Sequence, residues 1–385
     1  MLLHSRSHRL RFSPLKIAII AHLKFAIAEP FSGGLEMHTH ILARSLRSSG
    51  HDVTLFASLK SDPDLGLEAI CEETSLLETG LAECGPDVGD VAFFREHHAY
   101  LRLMTTLRDR SFDVVHNNSL HYLPLTMAAT LPAPTVTTLH TPPFCWLESG
   151  VRLGRQANHI VAVSQATADM WQSVAHVDGV IPNGIDLDLF PFSPLAEDPP
   201  YLVWYGRIVP EKGPHLAIDA ARAVGLPLKI AGPRSDLRYF EAEIAPRMGC
   251  GVSYVGHLAH RELAQLIGGA RAALCTPCWD EPYGLVVAEA LACGTPVAAF
   301  RRGGIPWILD GTCGMLAEPD DAGSLAQAIR GALALDRAAC RRRAERHCDA
   351  RRMVDAYERL YRDVIAKHAS FDEAASDNHA VAVSA

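Results

Sequence analysis

Residues 275–296 read Cys-Thr-Pro-Cys-Trp-Asp-Glu-Pro-Tyr-Gly-Leu-Val-Val-Ala-Glu-Ala-Leu-Ala-Cys-Gly-Thr-Pro. The apolar run 272–274 enters this stretch as a strand, Pro282 and Gly284 break it, and helix formers occupy 285–292 until Gly294 stops them. A strand, a short loop and a helix are predicted. Glu281 falls in the loop and Glu289 lies a turn or more into the helix, so two carboxylates face one cleft beside a helix N-terminus that favours anions. Carboxylates accept hydrogen bonds from hydroxyls but do not usefully bind phosphate, whereas the amides that follow Gly284 can take phosphate oxygens. That combination suits a sugar nucleotide.

Working outward, the same alternation of strand and helix recurs. Strands are predicted at 201–205, 228–231, 252–255, 272–275 and 297–300, with helical segments between them and amphipathic helices at 320–334 and 351–366. On the other side, 16–21 is a short apolar run that fits a strand buried on both faces. Further strands are predicted at 51–57, 112–116, 135–139 and 160–163. Gly33 and Gly34 open a helix over 35–46; the residues themselves allow either close approach to a diphosphate or an ordinary strand-to-helix turn. His140 ends a strand because Pro142 and Pro143 disfavour an immediate helix, and it therefore lies where open α/β sheets bind ligands. Ser164 is predicted as an N-cap. Little can be read from residues 60–95, which we expect to vary in structure and to frame an acceptor.

A chain of 385 residues exceeds the size at which one core keeps growing, so two domains are expected. Prolines 191, 194, 199 and 200 mark the boundary. We divide the chain into a disordered tail at 1–14, a first domain at 15–185, a linker at 186–200, a second domain at 201–350, a helix at 351–368 and a disordered tail at 369–385. The net charge of −8 excludes a general nucleic-acid binder. No apolar stretch is long enough to span a membrane, and only the arginines of the first tail suggest peripheral contact with an anionic surface. Ten scattered cysteines and the lack of a clear signal peptide predict a cytoplasmic protein. Cys275 and Cys278 have no second pair at zinc-binding spacing and are read as structural. No Ser-His-Asp set, zinc motif or Walker loop is present, and no metal is expected.

The segment Glu281-Pro-Tyr-Gly-Leu-Val-Val-Ala-Glu289, followed by Cys-Gly-Thr-Pro at 293–296, resembles the signature of the retaining GT-B glycosyltransferases of the family-4 type. Arg207-x-x-Pro-Glu-Lys212-Gly resembles the family segment whose cations hold the donor diphosphate. The resemblance covers roughly residues 16–366. It implies an α/β chain of two facing Rossmann-like domains with a cleft between them, the first for the acceptor and the second for the nucleotide-sugar donor, and a last helix that crosses back to the first domain.

Roles follow from the same resemblance. Arg207 and Lys212 stabilise charge on the leaving phosphate, Glu281 contacts the transferred sugar, His140 reaches that sugar from the first domain, and Glu289 accepts from the ribose hydroxyls. Gly33, Gly34, Pro282, Tyr283, Gly284 and Leu285 complete the donor site, with backbone amides at Tyr283 and Gly284. Asp186 and Asp188 have Asp-x-Asp spacing but match a non-metal segment. The implied activity is retaining hexosyl transfer, without metal or cofactor, from a UDP-hexose such as UDP-glucose to a hydroxyl of a lipid, a polysaccharide or a small metabolite. GDP-mannose is the alternative donor; a sugar-nucleotide hydrolase or epimerase and a non-catalytic binding protein are the alternative classes. Retention through a covalent intermediate or through same-face attack stays open.

Overall fold

The structure is a computed structural model that describes residues 13–71 and 91–383. Most of the expected N-terminal tail, the last two residues and part of the 60–95 segment lie outside the described residues.

Two parallel sheets organise the chain. The first contains β1 (Lys16–Ile20), β2 (Asp52–Ser58), β3 (Leu67–Cys71), β4 (Val114–Asn117), β5 (Thr135–Leu139), β6 (Asn158–Ala162) and β7 (Gly179–Val180), in the order β3-β2-β1-β4-β5-β6-β7. The second contains β8 (Leu202–Tyr205), β9 (Leu228–Ala231), β10 (Val252–Gly256), β11 (Ala272–Cys275), β12 (Val297–Phe300) and β13 (Gly314–Ala317), in the order β10-β9-β8-β11-β12-β13. Every residue of β4, β5, β8, β11 and β12 is buried, because helices cover both faces of each sheet. In each sheet the strand order reverses beside the first strand, at β1/β4 and at β8/β11. The loops leaving these strands form the crevice where such sheets bind ligands.

Three helices matter to the site. α1 (Gly34–Ser48) follows β1, α2 (Leu285–Ala292) follows β11, and α3 (Ala350–Val383) ends the described chain. The chain crosses between the sheets twice, and the two crossings are hydrogen-bonded: Ile185 N–H donates to Cys348 O at 2.8 Å and Ala350 N–H donates to Ile185 O at 2.9 Å. Beyond this point α3 packs on the first domain. Tyr361 OH is hydrogen-bonded to His116 Nδ1 at 2.6 Å, and Tyr357 OH lies 3.0 Å from Thr138 Oγ1. The helix runs past residue 369, where the sequence suggests a tail, to Val383.

An unpredicted helix, Arg337–His347, fixes the linker to the second domain. Asp336 caps it by accepting from the amides of Ala338 and Ala339. From its first turn Arg337 donates to the carbonyls of Ser193, Ala270 and Gly268, and Arg341 donates to those of Phe190 and Ala292. Asp186 serves the first domain instead, holding Arg44 at 2.6 Å and capping the Asp188 amide at 3.0 Å. The Asp-x-Asp spacing is thereby used within the protein.

Candidate active site

A cavity of ≈ 480 Å³ lies between the two sheets and is lined by Gly33, Gly34, His140, Arg207, Lys212, Glu281, Pro282, Tyr283, Gly284, Leu285 and Glu289. The sequence-predicted residues are thus brought together around one space. How each is held decides what it can do.

Lys212 ends the turn that leaves β8. Its carbonyl accepts from Thr276 Oγ1 at 3.0 Å, and that hydroxyl in turn accepts from Trp204 Nε1 at 3.0 Å, so the backbone under the lysine is tied to β8 and to the end of β11. The ammonium donates to Glu281 Oε2 at 2.5 Å and sits 5.1 Å from the centre of the Trp279 ring. Trp279 Nε1 donates to the same oxygen at 3.1 Å. A charge-assisted pair of this kind fixes both side chains at the cleft wall. Arg207 is held less firmly. It is 33% exposed on its side chain and lies 3.9 Å from Glu211, and a Cβ built on Gly33 would be 4.0 Å from its Nε. It therefore faces the first domain across the cleft.

The loop carrying Glu281 is braced from both sides. Gly304 N–H donates to Glu281 O at 2.7 Å, and Gly303 tolerates no side chain, since its Cβ would lie 2.0 Å from that oxygen. The next carbonyl, Pro282 O, accepts from Ser164 Oγ at 2.5 Å and from Thr167 Oγ1 at 3.2 Å. Both hydroxyls belong to the first domain. Gly284, at φ +102°, then turns the chain into α2, whose first amides have no acceptor inside the helix and point to the cavity end of the element. The Tyr283 side chain is buried, with its ring centre 6.4 Å from that of Trp307.

Glu289 lies one turn inside α2 and is buried. Burial pushes its carboxyl up to about 7, and the neighbouring Tyr205 hydroxyl offsets only part of that. Tyr205 gives its own proton to Val286 O at 2.5 Å, so it has little left to offer the carboxylate. His140 is also buried; its Nε2 lies 2.7 Å from Asn118 Oδ1, which as an acceptor fixes the proton on that nitrogen. Burial, then the neighbouring His38, His116 and His22, lower its pKa well below the ordinary 6.5, so the ring is neutral. His38 packs edge-on against it with ring centres 4.7 Å apart.

Sequence reasoning missed one pair in the cavity wall. His22 Nε2 donates to Glu36 Oε1 at 2.5 Å, while His22 Nδ1 accepts from the Lys24 amide at 3.2 Å. Burial raises the Glu36 pKa, but the His22 hydrogen bond and charge, and Arg207 across the cleft, outweigh it and hold the carboxyl below its ordinary value. The available signal was position. Glu36 stands two residues after the Gly33-Gly34 pair and His22 two residues after β1 at the switch point. Asn118, immediately after β4, and Trp279 carried no comparable signal. Asp280, beside Glu281 in the same loop, is exposed and does not line the cavity. Among the described residues no three His, Cys, Asp or Glu side chains converge as a metal site, and no helix is long and apolar enough to cross a membrane.

Comparison with known proteins gives consistent matches across both halves. Residues 32–189 match the model of Glycosyltransferase Family 4, and residues 187–347 match that of Glycosyl transferases group 1. The chain is 30% identical over 355 residues to a glycogen synthase of Mycobacterium tuberculosis, covering 81% of this chain and 85% of that protein. It is 30% identical over 329 residues to a phosphatidyl-myo-inositol mannosyltransferase of Mycolicibacterium smegmatis, covering 78% and 81%. Among solved structures, Anabaena HepE in complex with UDP and glucose superposes with a TM-score of 0.70 at 17% identity, covering 91% of this chain and 100% of that one; this likeness is one of fold.

Proposed function

The chain belongs to the glycosyl transferases group 1 family, and from that premise we infer that it is a retaining hexosyltransferase using a UDP-hexose, UDP-glucose first, and a hydroxyl acceptor. The observation that carries the reading is the Lys212–Glu281 pair, 2.5 Å apart beside the N-terminus of α2. A leaving nucleoside diphosphate develops negative charge on its β-phosphate. Lys212, Arg207 and the α2 amides supply positive potential at one end of the cavity, where it counts more in the transition state than in the ground state. Placing the diphosphate there sets the transferred sugar against Glu281 and His140 and brings the ribose to Glu289.

In this arrangement Glu281, with one oxygen engaged by Lys212 and Trp279, serves the sugar as a hydrogen-bond acceptor. The acceptor hydroxyl attacks from the face the diphosphate leaves, and the phosphate takes its proton, so configuration is retained. Fixed cations and helix amides carry the charge, and the reaction needs no divalent metal. The eight cysteines from Cys145 to Cys348 are free thiols, which supports the cytoplasm as the compartment.

The mannosyltransferase relative favours mannose as a competing sugar, and with it the alternative donor GDP-mannose. Nucleoside diphosphate release from a panel of UDP- and GDP-sugars, with metal chelated and no acceptor added, tests both. Release from one UDP-hexose that disappears in Arg207→Ala is the expected result. Release from GDP-mannose alone moves the donor to the alternative, and neither release nor binding across the panel overturns the reading. The anomeric configuration of the transferred sugar, read by NMR once an acceptor is found, tests retention.

A further inference from the structure

Ser164 is an N-cap, yet its hydroxyl does more than capping requires. As a cap it accepts from the Thr167 amide at 3.0 Å. Its own hydrogen is then free, and it is donated to Pro282 O at 2.5 Å, across the cleft in the other domain. Thr167, on the first turn of the same helix, sends a second hydroxyl to that carbonyl at 3.2 Å. Both side chains are buried. The preceding carbonyl, Glu281 O, is held by Gly304 from within the second domain. Adjacent carbonyls on the loop are therefore gripped by different domains, and Glu281 lies at the point where the two grips meet.

We propose that Ser164 and Thr167 are positioning residues for glycosyl transfer: their paired hydroxyls latch the Pro282 carbonyl when the domains close and so set Glu281, with Lys212, against the donor. This inference rests on the transferase reading. Neither Ser164 nor Thr167 lines the cavity. Opening the cleft breaks both bonds at once, frees the loop on the side facing the first domain, and leaves Glu281 held only from within the second domain, by Lys212 and Trp279 at its carboxylate and Gly304 at its carbonyl. Domain closure and loop geometry become one event, which ties chemistry to the closed state.

Steady-state kinetics on Thr167→Val and Ser164→Ala test the latch, using the donor for which the wild type releases nucleoside diphosphate. Valine keeps the shape of threonine and removes only the hydroxyl. The expected result is a fall in kcat of about tenfold or more with the donor KM within about twofold, and recovery of most of kcat in Thr167→Ser, where the hydroxyl returns. Loss of the cap alone predicts a lower melting temperature with kcat per folded molecule unchanged. Wild-type kcat in both Thr167→Val and Ser164→Ala overturns the latch. So does an equally low kcat in Thr167→Ser at an unchanged melting temperature. If the valine variant does not fold, Thr167→Ala, which suits a helix, takes its place under the same criteria. A wild type that neither binds nor turns over any sugar nucleotide defeats the transferase reading itself, a result distinct from either latch outcome.

Discussion

A Cβ placed on Gly34 would lie 2.6 Å from Leu285 Cδ1, so the first turns of α1 and α2 meet across the cleft with no room for a side chain between them. The next Leu285 atoms are 3.7 and 4.0 Å away, so the conflict is with the tip of one side chain from the other domain. Gly34→Ala should therefore leave each domain folded and hinder closure. We expect a melting temperature within about 2 °C of wild type and a fall in kcat/KM of roughly tenfold, in keeping with the sensitivity of transfer to misplacement of about 1 Å. Adding Leu285→Ala removes the tip and should restore part of the loss. Two losses that simply add in the double variant would sink the steric explanation.

Removing Lys212 does two things to the site. It withdraws a cation from the position of the leaving phosphate, and it leaves Glu281 Oε2 with only the Trp279 N–H. Lys212→Ala should lower kcat by about 100-fold or more while changing donor KM less, as expected for a group that acts on developing charge. Glu281→Gln in the same background should add little, since the two side chains act as a unit. Unchanged turnover in Lys212→Ala removes Lys212 from the mechanism.

Glu289 couples stability to pH in a direction opposite to most carboxylates. Its folded pKa is raised from the ordinary 4.5 to about 7 by burial, so the folded state binds the proton more tightly than the unfolded state. The stability it contributes is fully present below about pH 4.5 and is lost as pH rises through about 7. That gap corresponds to about 3 kcal/mol. Glu289→Gln should thus melt higher than wild type at pH 8 and alike at pH 4. The same variant should bind donor more weakly, because an amide oxygen is a poorer acceptor for two ribose hydroxyls than a carboxylate. Donor binding should also release a proton from the wild type near pH 7, seen in calorimetry as a dependence of heat on buffer. No proton release would separate Glu289 from the ribose.

Much of this was legible from composition of the strands. β1, β4, β5, β8, β11 and β12 are buried along almost their whole length; β1, β8, β11 and β12 read as short apolar runs, and β4 and β5 as Val- and Thr-rich β-branched ones. The strands that escaped, β3, β7 and β13, are all at sheet edges. β3 carries Glu68, β7 has two residues, and β13 is Gly-Met-Leu-Ala without a β-branched residue, so none offers the pattern that burial on two faces imposes. The helix Arg337–His347 was obscured by its arginines, whose donors go to carbonyls distant in sequence. At the site, residues within one motif could be placed by spacing. The His22–Glu36 pair and the bonds from Ser164 and Thr167 depend on two segments meeting in space, 14 residues apart in one case and 118 and 115 in the other, and no local pattern encodes that.

The crossing helix α3 is anchored through a buried polar chain that runs from Tyr361 OH to His116, on to Thr138 and then to Tyr357, with distances of 2.6, 2.8 and 3.0 Å. Burial, and then His38, push the His116 pKa down to about 3, so the ring is neutral, with one nitrogen donating and the other accepting along the chain. Tyr361→Phe leaves His116 Nδ1 buried without its hydrogen-bond partner, at a cost of about 1–3 kcal/mol. Tyr357→Phe removes the partner at the far end. Because the two hydroxyls terminate one chain, their effects on the urea midpoint should not add, and the double variant should be less destabilised than the sum of the singles. Thr138 lies two residues before His140, and His38 packs its ring against both His140 and Tyr357. Loosening α3 should therefore also reduce kcat, by less than Lys212→Ala does. An unchanged urea midpoint in both single variants would mean that the apolar face of α3 alone holds the helix to the first domain.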